Sequence, residues 1–253
     1  MGVTEERFRA LARSSPWRWS SLQFVRTRRH GRDQFGADVR AWLRRPDALR
    51  VEDLEGHLLH TEIGSVPRTV ALFTPDGGRE LPLRPASSVA PALRPDGLVR
   101  RRPSDGDLDY DDPMFQDYAW VAMLDPVELA DGDGGRPGAT LEHLRSVEHH
   151  GREAWEAIIR PTSAYAPRCS CCALLLSEVS ERRLAEEGGP AVRAQEPSFE
   201  FADAHLVRLD LESAVCVYLE QLGGDRSGWA DDVCIEQMDE PMPDVLFSEP
   251  QPH

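Results

Sequence analysis

Residues 205–247, HLVRLDLESAVCVYLEQLGGDRSGWADDVCIEQMDEPMPDVLF, decide the fold. Short runs rich in Val, Leu, Ile and Tyr alternate here with Gly, Asp and Ser clusters, which is how antiparallel strands and their loops read. The stretch predicts a three-strand meander closed by a proline-bounded tail. It names no chemistry.

Upstream, residues 4–13 read as a short helix capped by Thr4, with Phe8, Leu11 and Ala12 on one side. Trp17 and Trp19 share one strand parity and Leu22 and Phe24 the other, so a single strand needs a bulge near Ser20 and Ser21. DVRAWLRR alternates Val39, Ala41 and Leu43 against Arg40, Trp42 and Arg44, and ALRVEDL, HLLHTEI and RTVALF extend the meander. From Pro82 to Asp112 the chain turns Pro- and Arg-rich, then acidic, and reads as a flexible surface excursion able to act as a flap. A helix is expected from Asp112 as cap and Pro113 as first residue to the break at Asp125-Pro126. Two strands turning at Gly151 follow, then a helix in LLLSEVSERRLAEEGG that ends at Gly188 and Gly189. The expected class is α+β, mostly β: one domain over residues 1–253, a curved antiparallel sheet (a half-barrel) with helices on its concave side.

All 29 basic residues are Arg, and the chain has neither Lys nor Asn. Both missing residues use AA-starting codons, so the bias points to a GC-rich genome, and it removes Schiff-base and P-loop lysines from consideration. Net charge is −15, with residues 1–50 at +7 and the rest at −22. An acidic body repels phosphate, which argues against nucleic acid as a partner. The Arg-rich quarter suits either an acidic partner or a solvated outer sheet face. No segment has the length and apolarity of a secretory signal or a membrane span, and five cysteines, an odd number, suit free thiols; a cytoplasmic location is expected.

The run VRLDLESAVCVYLEQ resembles the strand, Asp-containing turn and strand near the end of the bacterial lipoprotein-carrier family and its envelope-stress sensor relatives, LolA-like and RseB-like proteins. The tail DEPMPDVLF is similar to that family's closing Pro-x-Pro-Asp-x-x-Phe pattern, at Pro241, Pro243, Asp244 and Phe247, and PDALRVEDLEG resembles its early strand pair. The resemblance implies an incomplete barrel, lidded by helices, that holds acyl chains or a lipidated protein. Fold likeness does not carry function with it.

The aromatic set Trp17, Trp19, Phe24, Trp42, Phe73 and Trp155 reads first as core, yet in a half-barrel the inward face is also the pocket wall. The expected ligand-binding residues are therefore Trp17, Trp19, Phe24, Leu43, Val51 and Trp155, with Leu43 and Val51 inward by parity. An apolar small molecule or lipid is the expected ligand. A filled-core scaffold docking a protein partner is the alternative, and a thiol-dependent or metal protein comes third.

Cys169, Cys171 and Cys172 in PRCSCC, with His149 and His150 upstream, are the sharpest candidate ligand cluster. Structural zinc favours Cys-x-x-Cys spacing, and adjacent Cys171 and Cys172 chelate one ion poorly, so neither metal nor cofactor is expected. Cys216 and Cys234 lie symmetrically about a turn and read as cross-strand neighbours. Asp105, Asp107, Asp109 and Asp111 mimic a calcium loop but lack its Gly and Glu, while His57 and His60 would point to opposite faces of a strand. Nucleophile-elbow, zincin and dinucleotide motifs are absent, so binding is expected over catalysis.

Overall fold

A computed structural model describes residues 2–29, 38–64, 69–74 and 77–249, with the side chains of 70–79 left aside. Thr4 caps α1 (Glu5–Ala12) by accepting from the Arg7 N–H at 3.3 Å, and Phe8, Leu11 and Ala12 are buried as the sequence pattern requires. Four strands follow: β1 (Ser21–Arg29), β2 (Val39–Arg44), β3 (Ala48–Asp53) and β4 (Leu58–Glu62). A separate hairpin joins β5 (Thr69–Thr74) to β6 (Gly77–Pro82). Short pieces come next: β7 (Arg84–Pro85), β8 (Ala92–Leu93), β9 (Val99–Arg101) and β10 (Leu108–Asp109), then α2 (Tyr118–Leu124). The hairpin β11 (Ala139–His149) and β12 (Arg152–Pro161) precedes α3 (Glu178–Glu186) and α4 (Val192–Gln195). Last comes the expected meander, β13 (Ala204–Asp210), β14 (Cys216–Leu222) and β15 (Ala230–Met238).

Nine of these strands form one antiparallel sheet in the order β11-β12-β13-β14-β15-β1-β2-β3-β4. The class is thus α+β, mostly β. Two meanders are sewn together where β1 pairs with β15, Leu22 opposite Met238 through Arg29 opposite Ala230. One face carries Phe24, Ala41, Leu43, Leu49, Val51, Trp155, Val207 and Ile235, and α1 and α2 bury their apolar sides in the same cluster. On the other face the tail residue Phe247 packs with Ala48, Met242 and Trp42. No helix among the described residues is long and apolar enough to cross a membrane.

Several expectations give way to local physics. Trp17 closes a 3-10 turn, Ser15–Trp17, with Pro16 in its first turn, and the strand begins only at Ser21, so the parity switch near Ser20 marks a turn entering a strand. The bulge lies instead between Gln23 and Phe24, against β15. α2 starts five residues after Pro113, because Gln116 sits at φ 69° and Asp117 is the cap, accepting from the Trp120 N–H at 3.3 Å. Asp112, expected to cap it, instead binds the Arg45 guanidinium at 2.6 and 2.8 Å. The segment 82–112 is tied down: the Trp17 indole N–H reaches Val89 O at 2.9 Å, Leu98 and Val99 are buried, and Arg102 pairs with the buried Asp125.

The seam has its own electrostatics. Arg26 and Arg28 on β1 both donate to Asp231 on β15 at 2.9 Å, and Arg28 also reaches the α2 cap Asp117 at 3.0 Å. Burial pulls the Arg26 guanidinium below its ordinary range, which Asp231 only partly offsets. Removing Asp231 would leave a charge in the core without its counter-ion. Asp231→Ala is expected to cost about 3–5 kcal/mol in denaturant melts, whereas the double variant Arg26→Met/Asp231→Leu should recover most of that loss. Equal destabilisation of the two variants would show that the charge itself is not what the seam holds.

Candidate functional site

Among the described residues, the six residues expected to line a ligand pocket fall in different surroundings. Trp17 and Trp19 border an open groove of about 490 Å³ with Arg45 and Pro85, and the Arg45 guanidinium lies 3.3 Å from the Trp19 ring centre. Phe24 sits 5.1 Å from Trp120 and borders a void of only about 10 Å³ between the sheet and α2. Leu43 and Val51 point inward, as parity required, and are fully buried, while Trp155 is buried under the Arg7 guanidinium. Five of the six, Trp19 among them, are therefore core, and Trp17 alone is only partly buried. The side chain of Phe73 lies outside the described residues.

Two clusters of metal-ligating type are assembled among the described residues: Cys169 with Cys171 and Cys172, and His149 and His150 with Asp232. The histidines thus join a carboxylate and not the thiols.

His150 and Gly151 both take positive φ, 47° and 78°, which closes the β11–β12 hairpin in two residues. With a bulge between Glu142 and Arg145, the hairpin end reaches β15. There the Nε2 of His150 lies 2.7 Å and that of His149 3.2 Å from Asp232 Oδ1, and the two rings are 4.4 Å apart. A guanidinium can only donate, so Arg208, 3.2 Å from His149 Nδ1, fixes that nitrogen as the acceptor. His149 Nε2 then carries the proton and faces Asp232 and the carbonyl of Val233 at 3.3 Å. This tautomer presents no lone pair to an ion at Nε2. Arg29, 3.6 Å from Asp232, adds a further positive charge against one. The arrangement works as a clamp that fastens the hairpin end to β15. Burial opposes the Asp232 charge, but the contacts from His149 and His150 outweigh it and hold the carboxyl below its usual range.

The thiols lie in the loop between β12 and α3, on a 3-10 turn at Ser170–Cys172. Cys169 Sγ is 2.8 Å from Cys171 Sγ, and Cys171 Sγ is 3.5 Å from Cys172 Sγ. Burial opposes the Cys169 thiolate, yet the Cys171 and Cys172 thiols facing it hold it below the ordinary thiol range. The contact with Cys169 pushes Cys171 up, and burial pushes Cys172 up further. The loop hangs on Glu128, whose buried carboxylate accepts from the Arg168 N–H at 2.9 Å, the Leu174 N–H at 3.0 Å and the Tyr165 hydroxyl. Tyr165 Oη in turn accepts from the Leu175 N–H at 2.9 Å.

Other sequence candidates dissolve into the chain's own contacts. Asp107 binds Arg84 at 2.7 and 3.0 Å, and Asp111 binds Arg168 at 2.8 Å, so this run neutralises arginines. His57 bonds Asp53 while the His60 ring lies 6.1 Å from that of Phe115, tilted against it. Cys216 and Cys234 are free thiols. A register shift between β13 and β14 carries Cys216 into the core beside Leu209, whereas Cys234 alternates away from the core residues Val233 and Ile235. Asp232 and Glu128 were not singled out from sequence. Nothing local marks them, since their partners lie far along the chain.

No family model matches this chain, and no curated protein matches it.

The clamp makes a pH prediction. Because the native Asp232 carboxyl is depressed, its stabilisation is fully present above the unfolded value, about pH 4, and is lost as pH falls through the native value. Asp232→Asn should cost about 1–2 kcal/mol at neutral pH. The gap between variant and wild type should close in acid, as read by denaturant melts from pH 7 to pH 3. A gap that stays constant across that range would assign the loss to packing.

Proposed function

We propose that the chain is a non-catalytic interaction scaffold with a filled core that docks a protein partner, in preference to a carrier of apolar cargo. The observation that carries this reading is the void of about 10 Å³ between the central strands and α2, where a carrier would hold its ligand. A pocket for a drug-sized ligand needs roughly 300 Å³ or more.

The sheet's two edges differ in what they offer a partner. β11 has eleven residues, is bulged and carries Glu142, His143, Arg145 and Glu148, devices that discourage strand addition. β4 is short, and Leu59 on it, with Leu54 and Ile63 beside it, is 45, 46 and 38 % exposed respectively. An extended apolar segment of another protein would pair with β4 by strand addition and cover these side chains.

Two measurements test the reading together. A fluorescent fatty acid titrated against the purified protein should show no saturable binding, and a photo-crosslinking residue placed at Leu59 should give a discrete protein adduct in the native cell that Ile63→Lys abolishes. Saturable stoichiometric binding of the fatty acid would restore the carrier reading. Smeared or absent adducts at Leu59 would remove β4 as the docking edge.

A further inference from the structure

We propose that Cys169, Cys171 and Cys172 form a three-thiolate site for a divalent thiophilic cation, zinc in the first instance, with a fourth coordination position open to solvent.

Geometry is the first argument. The three sulfurs all lie within 4.8 Å of one another, and the adjacent pair Cys171 and Cys172 converges to 3.5 Å. Zinc–thiolate bonds of about 2.3 Å at tetrahedral angles set sulfurs roughly 3.8 Å apart, so small side-chain rotations admit the ion. The sequence objection that neighbouring cysteines chelate poorly does not hold for this backbone.

Support is the second argument. An exposed polar loop needs no internal scaffold, yet this one is pinned on both flanks to the single buried carboxylate of Glu128, through Arg168 N–H and Leu174 N–H. The Arg168 guanidinium, immediately before Cys169, is itself held by Asp111 and the buried Asp125. Cys172 Sγ also accepts the Tyr118 N–H at 3.3 Å, an outer contact that steadies a thiolate and orients it. Donors held this firmly suit an ion with fixed coordination geometry.

Charge is the third. Binding releases the thiol protons to solvent and involves no change of oxidation state. Three thiolates around a divalent ion leave one net negative charge. Cys171 is the exposed member, so the open position faces water and suits a water molecule or an incoming donor.

The experiment uses the full-length chain, freshly reduced, titrated with cobalt(II) and then zinc(II). One equivalent of cobalt should bind with thiolate-to-metal charge-transfer absorption and the visible bands of a tetrahedral ion, and zinc should displace it. Cys169→Ser and Cys171→Ser should each weaken binding at least roughly tenfold, while Cys234→Ser and Asp232→Asn leave it unchanged. Zinc should also shield thiols of the wild-type protein from alkylation, counted by intact mass, a readout that needs no variant to fold. Absence of stoichiometric binding, binding without charge-transfer absorption, or binding lost in Asp232→Asn but kept in Cys171→Ser would each overturn the proposal.

Discussion

The pairing of β1 with β15 is the constraint on which the rest of the structure depends. These strands lie at opposite ends of the chain, and without their ladder the nine-stranded sheet falls into a four-strand and a five-strand piece. Each piece would expose a hydrophobic edge and half a core. Pairing strands this distant in sequence closes a loop of nearly the whole chain, so the entropic cost of closure falls on this one ladder. Its central ion pairs explain how register is kept: Asp231 takes Arg26 and Arg28 together, and Arg28 extends the bond to the cap of α2. The helix that covers the sheet is thereby fixed by the same charges that close it.

Those charges also account for the lopsided sequence. The Arg-rich first fifty residues meet the acidic remainder within the molecule: Arg7 with Asp96, Arg13 with Asp131, Arg40 with Glu236, Arg44 with Asp244 and Arg45 with Asp112. An acidic partner was one reading of the basic quarter, and the chain's own body satisfies much of it. Exposed pairs of this kind contribute little individually, but the buried ones carry large penalties if broken, so they specify which strands meet more than they add stability.

The same economy places the two ligand-type clusters. Each sits where a loop or hairpin end is fastened to the body by buried polar groups: Asp232 with His149 at one, Glu128 with Tyr165 at the other. The difference lies in saturation. At the histidine cluster Arg208 and Val233 O occupy both ring nitrogens of His149, whereas at the cysteine cluster the sulfurs chiefly face one another.

The sequence by itself determined the strands of both meanders, the inward parity of Leu43 and Val51, the cap at Thr4 and the turn at Gly151. These follow from period-two alternation and from residues with strong local preferences, which act within a few positions. It misplaced the start of α2, read Trp17 and Trp19 as strand, and paired Cys216 with Cys234, because a positive φ at Gln116, a 3-10 turn and a register shift leave weak local signals. Only the tertiary structure decided that His149 and His150 meet Asp232, that Glu128 pins the thiol loop, and that α2 fills the space over Phe24. The physical reason is that each is a contact between residues tens of positions apart. Such contacts are selected by which buried polar groups remain unsatisfied and which apolar surfaces remain uncovered once the sheet has closed.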